Sequence, residues 1–460
     1  MTGRVTGGDP TGAMAEWVAA PGRAWSARCR AGARLAFLDT LAVILAGRDE
    51  PATAALAPVA GKWGAGPAWT VVGARLPAPW AALLNGTAAH ALDWDDVLDP
   101  AMNHPSAALV PALLALGEQE GASGPACLDA YLTGFEIMAR LGEAMNLAHY
   151  HRGWHTTLSL GATGVAAACA RLLGLSAEAA RHAIGLSISM AGGSKRQFGS
   201  MAKPLHAGLA AKNGLLAAEL AAAGVTAAAE VFEGAWGYVE MTTGAGAPGF
   251  ASVLPRFGDP PAMAQYGVWT KLYPCCASTH RPVDAMRALA AEHRFGAADL
   301  EDAACWVSAV SNANLRFADP ASPSEARFSL QYTVAAALTD GTLTMDSFTP
   351  AQIARPAVRA LFPRIRMLVD PALPGDTHAA ESREAARVMV RLRDGRQLEH
   401  HVIDPRGHPG DPANEAELED KFRLAAAGAL GGARTDAALD MIRHLPMLPS
   451  LAPLTAILNR

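Results

Sequence analysis

The segment 153–208 begins and ends with basic side chains of the kind used in acid–base chemistry. It opens with GWHTT, which contains His155, and closes with KPLHAG, which contains Lys203 and His206. An ammonium group that is moved out of water has a lowered pKa and can act as a base or bind an anion. The segment therefore predicts a pocket for a small anionic molecule. The alternative is that Lys203 lies at the surface, with its alkyl stem on apolar neighbours and its ammonium in water.

A second motif, HALDWDDV at 90–97, gathers carboxylates around a histidine. His90 and Asp93 are three residues apart and would share one face of a helix, with Asp95 and Asp96 following at its end. Carboxylates so close together repel one another, which raises the pKa of one of them or attracts a cation. The alternative, which composition favours, is an acidic corner exposed to solvent.

Two further places carry candidate groups. His104 directly precedes a predicted helix start at 105–106, where backbone N–H groups favour anions, although it could be an ordinary loop residue. The motif KLYPCCASTHRP at 271–282 contains Lys271, Cys275 and His280 between two prolines, and predicts a wall of a cleft between domains. A Cys275–His280 nucleophile pair is an alternative, but spacing along the chain says little about geometry.

Composition excludes several classes of protein. The chain has 460 residues, of which 51% are hydrophobic and 18% charged, so a folded protein with two domains is expected. A net charge of −5 and a pI near 6.3 predict that neither nucleic acid nor membrane is a partner. No apolar segment of a secretory signal follows the N-terminal arginine, so a cytoplasmic location is predicted.

The sequence also predicts that no metal and no cofactor take part. The six cysteines contain no CxxC motif and do not form a disulfide, zinc or three-thiolate iron–sulfur pattern. No P-loop or dinucleotide-binding fingerprint is present. His151 and His155 have HxxxH spacing, but Gly153 lies between them and no third ligand can be named.

Hydrophobic periodicity predicts a mainly α fold with an α+β second domain. We expect a large all-helical domain over 14–265, completed by 405–457, and a smaller α+β lid domain over 266–404. Many helix faces carry Ala and Gly, which lets helices approach closely, although a biased genome would also enrich Ala. The predicted helices of the first domain are 25–45, 80–93, 106–120, 126–144, 156–173, 177–190 and 205–223.

The pattern changes after Pro260. Alternating residues predict a strand over 303–310, and helices are expected over 329–338 and 415–427. Asp394-Gly395 between two alternating runs is a strong hairpin signal, with strands over 387–393 and 396–403.

Taken together, the motifs resemble the MmgE/PrpD family over about residues 25–430, in the order in which the family carries them. The motifs are HALDWDDV, HPSAALVPALLALGE, GFEIMARLG, GWHTTLSLGATGVAAACARLLGL, FGSMAKPLHAGLAAKNGLLAAELAAAG, KLYPCCASTH, EARFSLQY and DKFR. The family includes 2-methylcitrate dehydratase, cis-aconitate decarboxylase and iminodisuccinate epimerase. The resemblance implies a large all-α domain, an α+β lid domain and a homodimer.

The resemblance also implies the site residues. Matched motif by motif, the catalytic positions are Asp93, His104, His155, Lys203 and Lys271, and the substrate-binding positions are His280 and Tyr332. One position departs from the pattern, because Val97 stands where the family's DFDDT motif has threonine. The loss of that hydroxyl removes a hydrogen bond to the substrate and puts the family's standard substrates in doubt.

The expected function is a cofactor-independent lyase acting on a small di- or tricarboxylate. Removing a proton α to a carboxylate needs a positioned base and cations that stabilise the resulting enolate-like anion. Lys203 and Lys271 would supply the charge, His155 or His104 would move the proton, and Asp93 would orient or balance the cations. A 2-methylcitrate dehydratase-like reaction is the first expectation. An iminodisuccinate-type epimerase, a cis-aconitate decarboxylase-like enzyme and a non-catalytic carboxylate-binding protein are the alternatives.

Overall fold

The computed structural model describes residues 9–244, 246–371 and 385–459. Its first part is built from helices that pack side by side. In chain order they are α1 (Pro10–Ala19), α2 (Ala27–Ala46), α3 (Pro51–Ala60), α4 (Ala78–His90), α5 (Pro105–Glu120), α6 (Gly124–Met145), α7 (Ala148–His151), α8 (Thr156–Ser159), α9 (Gly161–Leu172), α10 (Ala177–Ser189), α11 (Ala202–Ala222), α12 (Tyr238–Thr243) and α13 (Ala262–Gln265). A short antiparallel pair, β1 (Ala68–Trp69) and β2 (Arg75–Leu76), precedes α4.

Close packing of α4 against α11 fixes the positions of the residues at their ends. A Cβ atom on Gly86 of α4 would lie 2.8 Å from the Cα of Gly208 in α11, so a side chain at either position would force the helices apart. The predicted start of α11 at 205 is wrong, since the helix begins at Ala202. Pro204 fits in its first turn, where a missing N–H costs nothing. Lys203 therefore projects from the first turn of α11, close to the end of α4.

The second part combines helices with a four-stranded sheet. Its strands are β3 (Leu300–Val307), β4 (Ile365–Val369), β5 (Ala386–Leu392) and β6 (Gln397–Val402). Their order in the sheet is β4-β3-β5-β6, in which β3 runs parallel to β4 and antiparallel to β5. The helices are α14 (Ala277–His293), α15 (Ala309–Asn314), α16 (Pro323–Ala326), α17 (Leu330–Asp340), α18 (Pro350–Ile353) and α19 (Pro356–Arg359), and after the sheet α20 (Glu415–Leu430), α21 (Gly432–Arg443) and α22 (Ala452–Leu458).

The predicted hairpin is present as β5 and β6, and Gly395 adopts a φ of +90° in its turn. The predicted strand 303–310 is shifted toward the N-terminus, because Ser308 ends it. The Ser308 hydroxyl accepts a hydrogen bond from the backbone N–H of Ser311 and starts α15. The helix predicted over 156–173 is divided into α8 and α9 at Leu160.

Buried apolar side chains form two clusters. One draws on residues between 13 and 263 together with residues between 418 and 458, and the other mainly on residues between 273 and 402. The C-terminal helix α20 packs on α2 of the first part. The architecture is thus mainly α with a smaller α+β part, whereas the domain limits 14–265, 266–404 and 405–457 stay predictions. Within the described residues, no helix is both long and apolar enough to cross a membrane.

Candidate active site

Asp93 lies where both parts of the molecule meet. The helix α4 ends at His90, three residues earlier than predicted, and Asp93 follows in a left-handed conformation with a φ of +52°. Its buried carboxylate accepts a hydrogen bond from Lys203 Nζ at 2.7 Å and another from Lys271 Nζ. Lys271 Nζ also donates to the backbone carbonyl of Asp93 at 2.9 Å. The turn after α4 thus brings the lysines of the two parts together on one carboxylate.

The charges of this group stabilise one another. Burial opposes ionisation of Asp93, but the ammonium groups of Lys203 and Lys271 outweigh it and hold the pKa of the carboxyl well below its ordinary value. Burial likewise opposes the charge on Lys271, and the Asp93 carboxylate outweighs it, so the pKa of this lysine is raised. The alternative in which Lys203 is a surface residue is wrong, because it is 4% exposed.

The acidic corner predicted for Asp95 and Asp96 is wrong as well, because both carboxyl groups are 1% exposed. Burial raises the pKa of Asp96 to about 8, against hydrogen bonds from Ser106, and the nearby Asp39 and Asp95 raise it further. One carboxyl group of the motif thus has a raised pKa, but burial is the largest cause and repulsion by neighbouring carboxylates a smaller one. His90 and Asp93 do not share a helix face, since the chain leaves the helix between them.

Asp95 orients two imidazole rings. His90 donates its Nδ1–H to Asp95 Oδ2 at 2.7 Å, and His104 Nδ1 lies 3.4 Å from the same oxygen and donates to the Asp96 carbonyl at 2.9 Å. With the proton on Nδ1, each ring keeps a lone pair on Nε2. Burial lowers the pKa of both histidines, and the ammonium of Lys271 lowers that of His104 further. Both rings are therefore neutral bases near neutral pH.

His155 is held by a second histidine. Its Nδ1 shares a hydrogen bond of 2.8 Å with Nδ1 of His206, and its Nε2 has no hydrogen-bond partner among the described residues. The ring is 1% exposed, and its pKa is held well below the ordinary value by burial and then by Lys203. In the sequence, His206 stands out only as a neighbour of Lys203. The structure shows that its ring holds His155 in position.

Two cavities share Lys203 and Phe328 in their walls. The larger, of about 610 Å³ including its opening to solvent, is bordered by His104, His155 and Trp269. The smaller, of about 410 Å³ on the same measure, is bordered by Asp93 and by residues of both parts of the molecule. Together they offer a small anion the Lys203 ammonium, neutral imidazoles and aromatic walls, whereas the fully buried Lys271 borders neither cavity and reaches the site through Asp93.

The two predicted substrate-binding residues lie elsewhere. His280 is fully buried between Trp269 and Tyr273 and donates to the Cys275 carbonyl at 3.4 Å; burial, and next the ammonium of Lys271, lowers its pKa to about 3. The Tyr332 hydroxyl donates to the Ser347 carbonyl inside the second apolar cluster. Neither side chain borders the two cavities, so their roles in substrate binding stay predictions.

The Cys275–His280 alternative is not supported by the geometry. His280 faces the carbonyl oxygen of Cys275, and the thiol shares a hydrogen bond of 3.1 Å with the Thr279 hydroxyl. Burial raises the pKa of this thiol to about 12, so it is protonated near neutral pH.

Lys421 is a part of the site that the sequence analysis missed. It projects from α20, is 5% exposed, and donates to the Trp94 carbonyl at 2.7 Å and to the Lys271 carbonyl at 2.9 Å. Its Nζ lies 2.6 Å from a carboxylate oxygen of Asp39 in α2. The ammonium thereby fixes the backbone on both sides of the Asp93–Lys271 contact. The only signal was the scarcity of lysine, 6 residues among 460, together with the DKFR motif.

His90, His104 and His155, called here the three-histidine cluster, could hold a metal ion. Each offers one ring nitrogen, and these atoms lie within 4.8 Å of one another. A second group adds Asp93 and Asp95 to two of the histidines. Imidazole and carboxylate donors suit zinc, but two ammonium groups already neutralise Asp93 and would repel a dication. We keep metal independence as a prediction.

Comparisons with known proteins agree with the motifs. The MmgE/PrpD N-terminal domain matches residues 12–251, and the MmgE/PrpD C-terminal domain matches residues 273–446. A cis-aconitate decarboxylase of Homo sapiens is 32% identical over 408 residues, covering 85% of this chain and 81% of that protein. The Mus musculus cis-aconitate decarboxylase is 31% identical, covering 84% and 79%. The Aspergillus terreus one is 27% identical, covering 84% and 82%.

Proposed function

The chain belongs to the MmgE/PrpD family, and we propose that it is a lyase acting on a small polycarboxylate bound at Asp93. The observation that carries the proposal is the convergence of Lys203 and Lys271 on one buried carboxylate that borders a cavity. An incoming carboxylate can exchange with Asp93 for these ammonium groups, which then stabilise the charge that develops during the reaction.

Among lyase reactions, decarboxylation of an unsaturated tricarboxylate such as cis-aconitate is the first candidate. Support comes from the two mammalian cis-aconitate decarboxylases, which are 32% and 31% identical over 85% and 84% of this chain. The carbon–carbon bond to one carboxylate breaks and CO2 leaves. The electron pair shifts through the adjacent double bond to the carbon next to another carboxylate, and that carbon takes up a proton. Lys203 and Lys271 stabilise the anion formed before protonation.

The proton must come from a group that is protonated when the bond breaks. His155 is neutral in the free protein, because burial and Lys203 lower its pKa. A substrate with three negative charges opposes both effects and raises the pKa of a neighbouring imidazole. We assign proton transfer to His155, whose unpartnered Nε2 belongs to a ring that borders the larger cavity. His104, which borders the same cavity, is the second candidate for this role.

Dehydration of a hydroxy-polycarboxylate, the first expectation from the sequence, is the second candidate. It needs a base to remove a proton α to a carboxylate, and the neutral imidazoles of His104 and His155 meet that need. Val97 lies on the wall of the larger cavity, where a methyl group takes the place of the hydroxyl of the family's threonine. Because of this replacement, the test of the function includes carboxylates other than the family's standard substrates.

A single NMR experiment in D2O separates these reactions. The protein is incubated with cis-aconitate, 2-methylcitrate, iminodisuccinate and a panel of other di- and tricarboxylates. Decarboxylation releases CO2 and places one deuterium in the product, dehydration yields an alkene and water, and epimerisation exchanges the proton at a stereocentre. Binding without any turnover across the panel would contradict the proposal. The homodimer and the cytoplasmic location stay predictions, and light scattering of the purified protein would check the first.

A further inference from the structure

Arg327 lies beside the site and takes no part in the mechanism described so far. It follows α16 in the second part of the molecule, is 4% exposed, and borders the smaller cavity together with Asp93 and Lys203. Because Asp93 and Arg327 border the same cavity, one small molecule bound there can contact both.

The guanidinium of Arg327 is poorly satisfied for a buried cation. Its Nε has no hydrogen-bond partner among the described residues, and its contacts are an ion pair with Glu50 at 3.5 Å and the ring of Phe348 at 5.5 Å. Buried donors of proteins are almost always hydrogen-bonded, and guanidinium carries five of them in a planar fork. A planar carboxylate matches that fork with two parallel hydrogen bonds.

The carboxylate of Glu50 forms a weak ion pair with the guanidinium of Arg327. It precedes α3 in the first part of the molecule, and its side chain is 28% exposed and borders the same cavity. A separation of 3.5 Å is longer than a charge-assisted hydrogen bond, so a better placed carboxylate would bind Arg327 in preference to Glu50.

We propose that Arg327 binds a second carboxylate of the substrate, away from the reacting atoms, and that Glu50 competes for it when the substrate is absent. The inference rests on the proposed function and adds to it the residue that binds the second carboxylate. Molecules with carboxylates at two ends are preferred over monocarboxylates, because one end exchanges with Asp93 and the other displaces Glu50.

The test uses two substitutions with opposite expected effects. Arg327→Met should raise KM for the polycarboxylate substrate by about 10- to 100-fold, the loss expected for a charged hydrogen bond, and leave kcat within about threefold. Glu50→Gln should lower KM by about two- to fivefold, because the competing ion pair is partly exposed and weak. Arg359→Met, which removes an arginine paired with Asp319 outside the cavities, is the matched control and should change neither constant.

Calorimetry with propane-1,2,3-tricarboxylate and acetate provides a readout that needs no turnover. Arg327→Met should weaken binding of the tricarboxylate and leave the weak binding of acetate unchanged. An unchanged KM in Glu50→Gln, or a folded Arg327→Met protein that binds the tricarboxylate like the wild type, would overturn the inference. If Arg327→Met does not fold, the Glu50→Gln result alone decides. A wild-type protein that neither binds nor converts any polycarboxylate would overturn the proposed function itself.

Discussion

Replacing His155 by glutamine should abolish most of the turnover and leave the fold intact. Glutamine has a similar reach and can still hydrogen-bond to Nδ1 of His206, which His155 contacts at 2.8 Å. It cannot carry a proton in the physiological pH range, so the substitution removes proton transfer selectively. The cost to folding should be about one neutral hydrogen bond, about 1 kcal/mol.

The size of the effect follows from the role assigned to the ring. Positioned acid–base catalysis contributes about 10²- to 10⁴-fold to a rate. At about 1.4 kcal/mol for each tenfold change, this corresponds to about 3 to 5 kcal/mol of activation free energy. We therefore expect kcat to fall by about 10²- to 10⁴-fold with little change in KM, because Lys203 and Lys271 still supply the charge that holds the anion.

The assay is steady-state turnover of the substrate identified by NMR, with circular dichroism and thermal unfolding to check the fold. His149→Gln is the matched control, because His149 is a fully buried histidine whose Nε2 is hydrogen-bonded to the Ser159 hydroxyl at 2.7 Å, away from the cavities. It should lose stability but keep kcat within about threefold. A folded His155→Gln protein with near wild-type turnover would refute the assignment and direct attention to His104.

Four further outcomes are expected. Lys203→Ala should raise KM and lower kcat together, since its ammonium acts on the bound anion and more strongly on the transition state; an unchanged KM would contradict this. The pKa of Asp96 is about 8 in the folded protein, against an ordinary 3.8, so between these pH values the folded state keeps a proton that the unfolded state releases. The contribution of Asp96 to the free energy of unfolding therefore falls as the pH rises from about 4 to 8. The free energy of unfolding can be measured by urea titration at several pH values, and its slope against pH in this window should change by about 1.4 kcal/mol per pH unit in Asp96→Asn. The same slope in the variant and the wild type would show that Asp96 is ionised in the folded protein. The double variant Lys421→Met with Asp39→Asn, which removes both charges of the buried ion pair, should lower kcat by about 10- to 100-fold through displacement of the Lys271 backbone. The control Lys212→Met removes a half-buried lysine of α11 that lies over the Trp80 ring outside the cavities, and it should leave kcat unchanged. Exhaustive chelation should leave activity unchanged, and loss of activity restored by a divalent ion would instead assign a metal to the three-histidine cluster.

The bounds of several helices and strands could be predicted from local sequence patterns. Alternating residues on both sides of Asp394-Gly395 predict β5 and β6 to within one residue at each end, because a two-residue turn of this type fits few other structures. The bounds of α5 and α10 are likewise predicted to within one residue, since proline and serine mark their starts.

Local sequence patterns do not predict which polar residues are buried. Asp95 and Asp96 have the composition of a solvated acidic corner, and only the packing of distant helices removes them from water. Lys421 reaches Trp94 across 327 residues, and no helical or strand period connects them. The family resemblance named Asp93, Lys203 and Lys271 without giving their geometry. It also named His280 and Tyr332, which, like Lys271, border neither cavity, and which, unlike Lys271, do not contact Asp93.

The contacts of Lys421 also determine when the site can be completed during synthesis. Trp94 and Lys421 are 327 residues apart, and a ribosome that adds about 5–20 residues per second needs about 16–65 s to make the intervening chain. The first helices leave the ribosome long before Lys421, whose ammonium fixes the turn after α4, has been synthesised. During this time Asp39 lacks its ion-pair partner. A nascent or C-terminally truncated chain therefore lacks the finished arrangement around Asp93, and we expect full activity only in chains whose synthesis has passed α20.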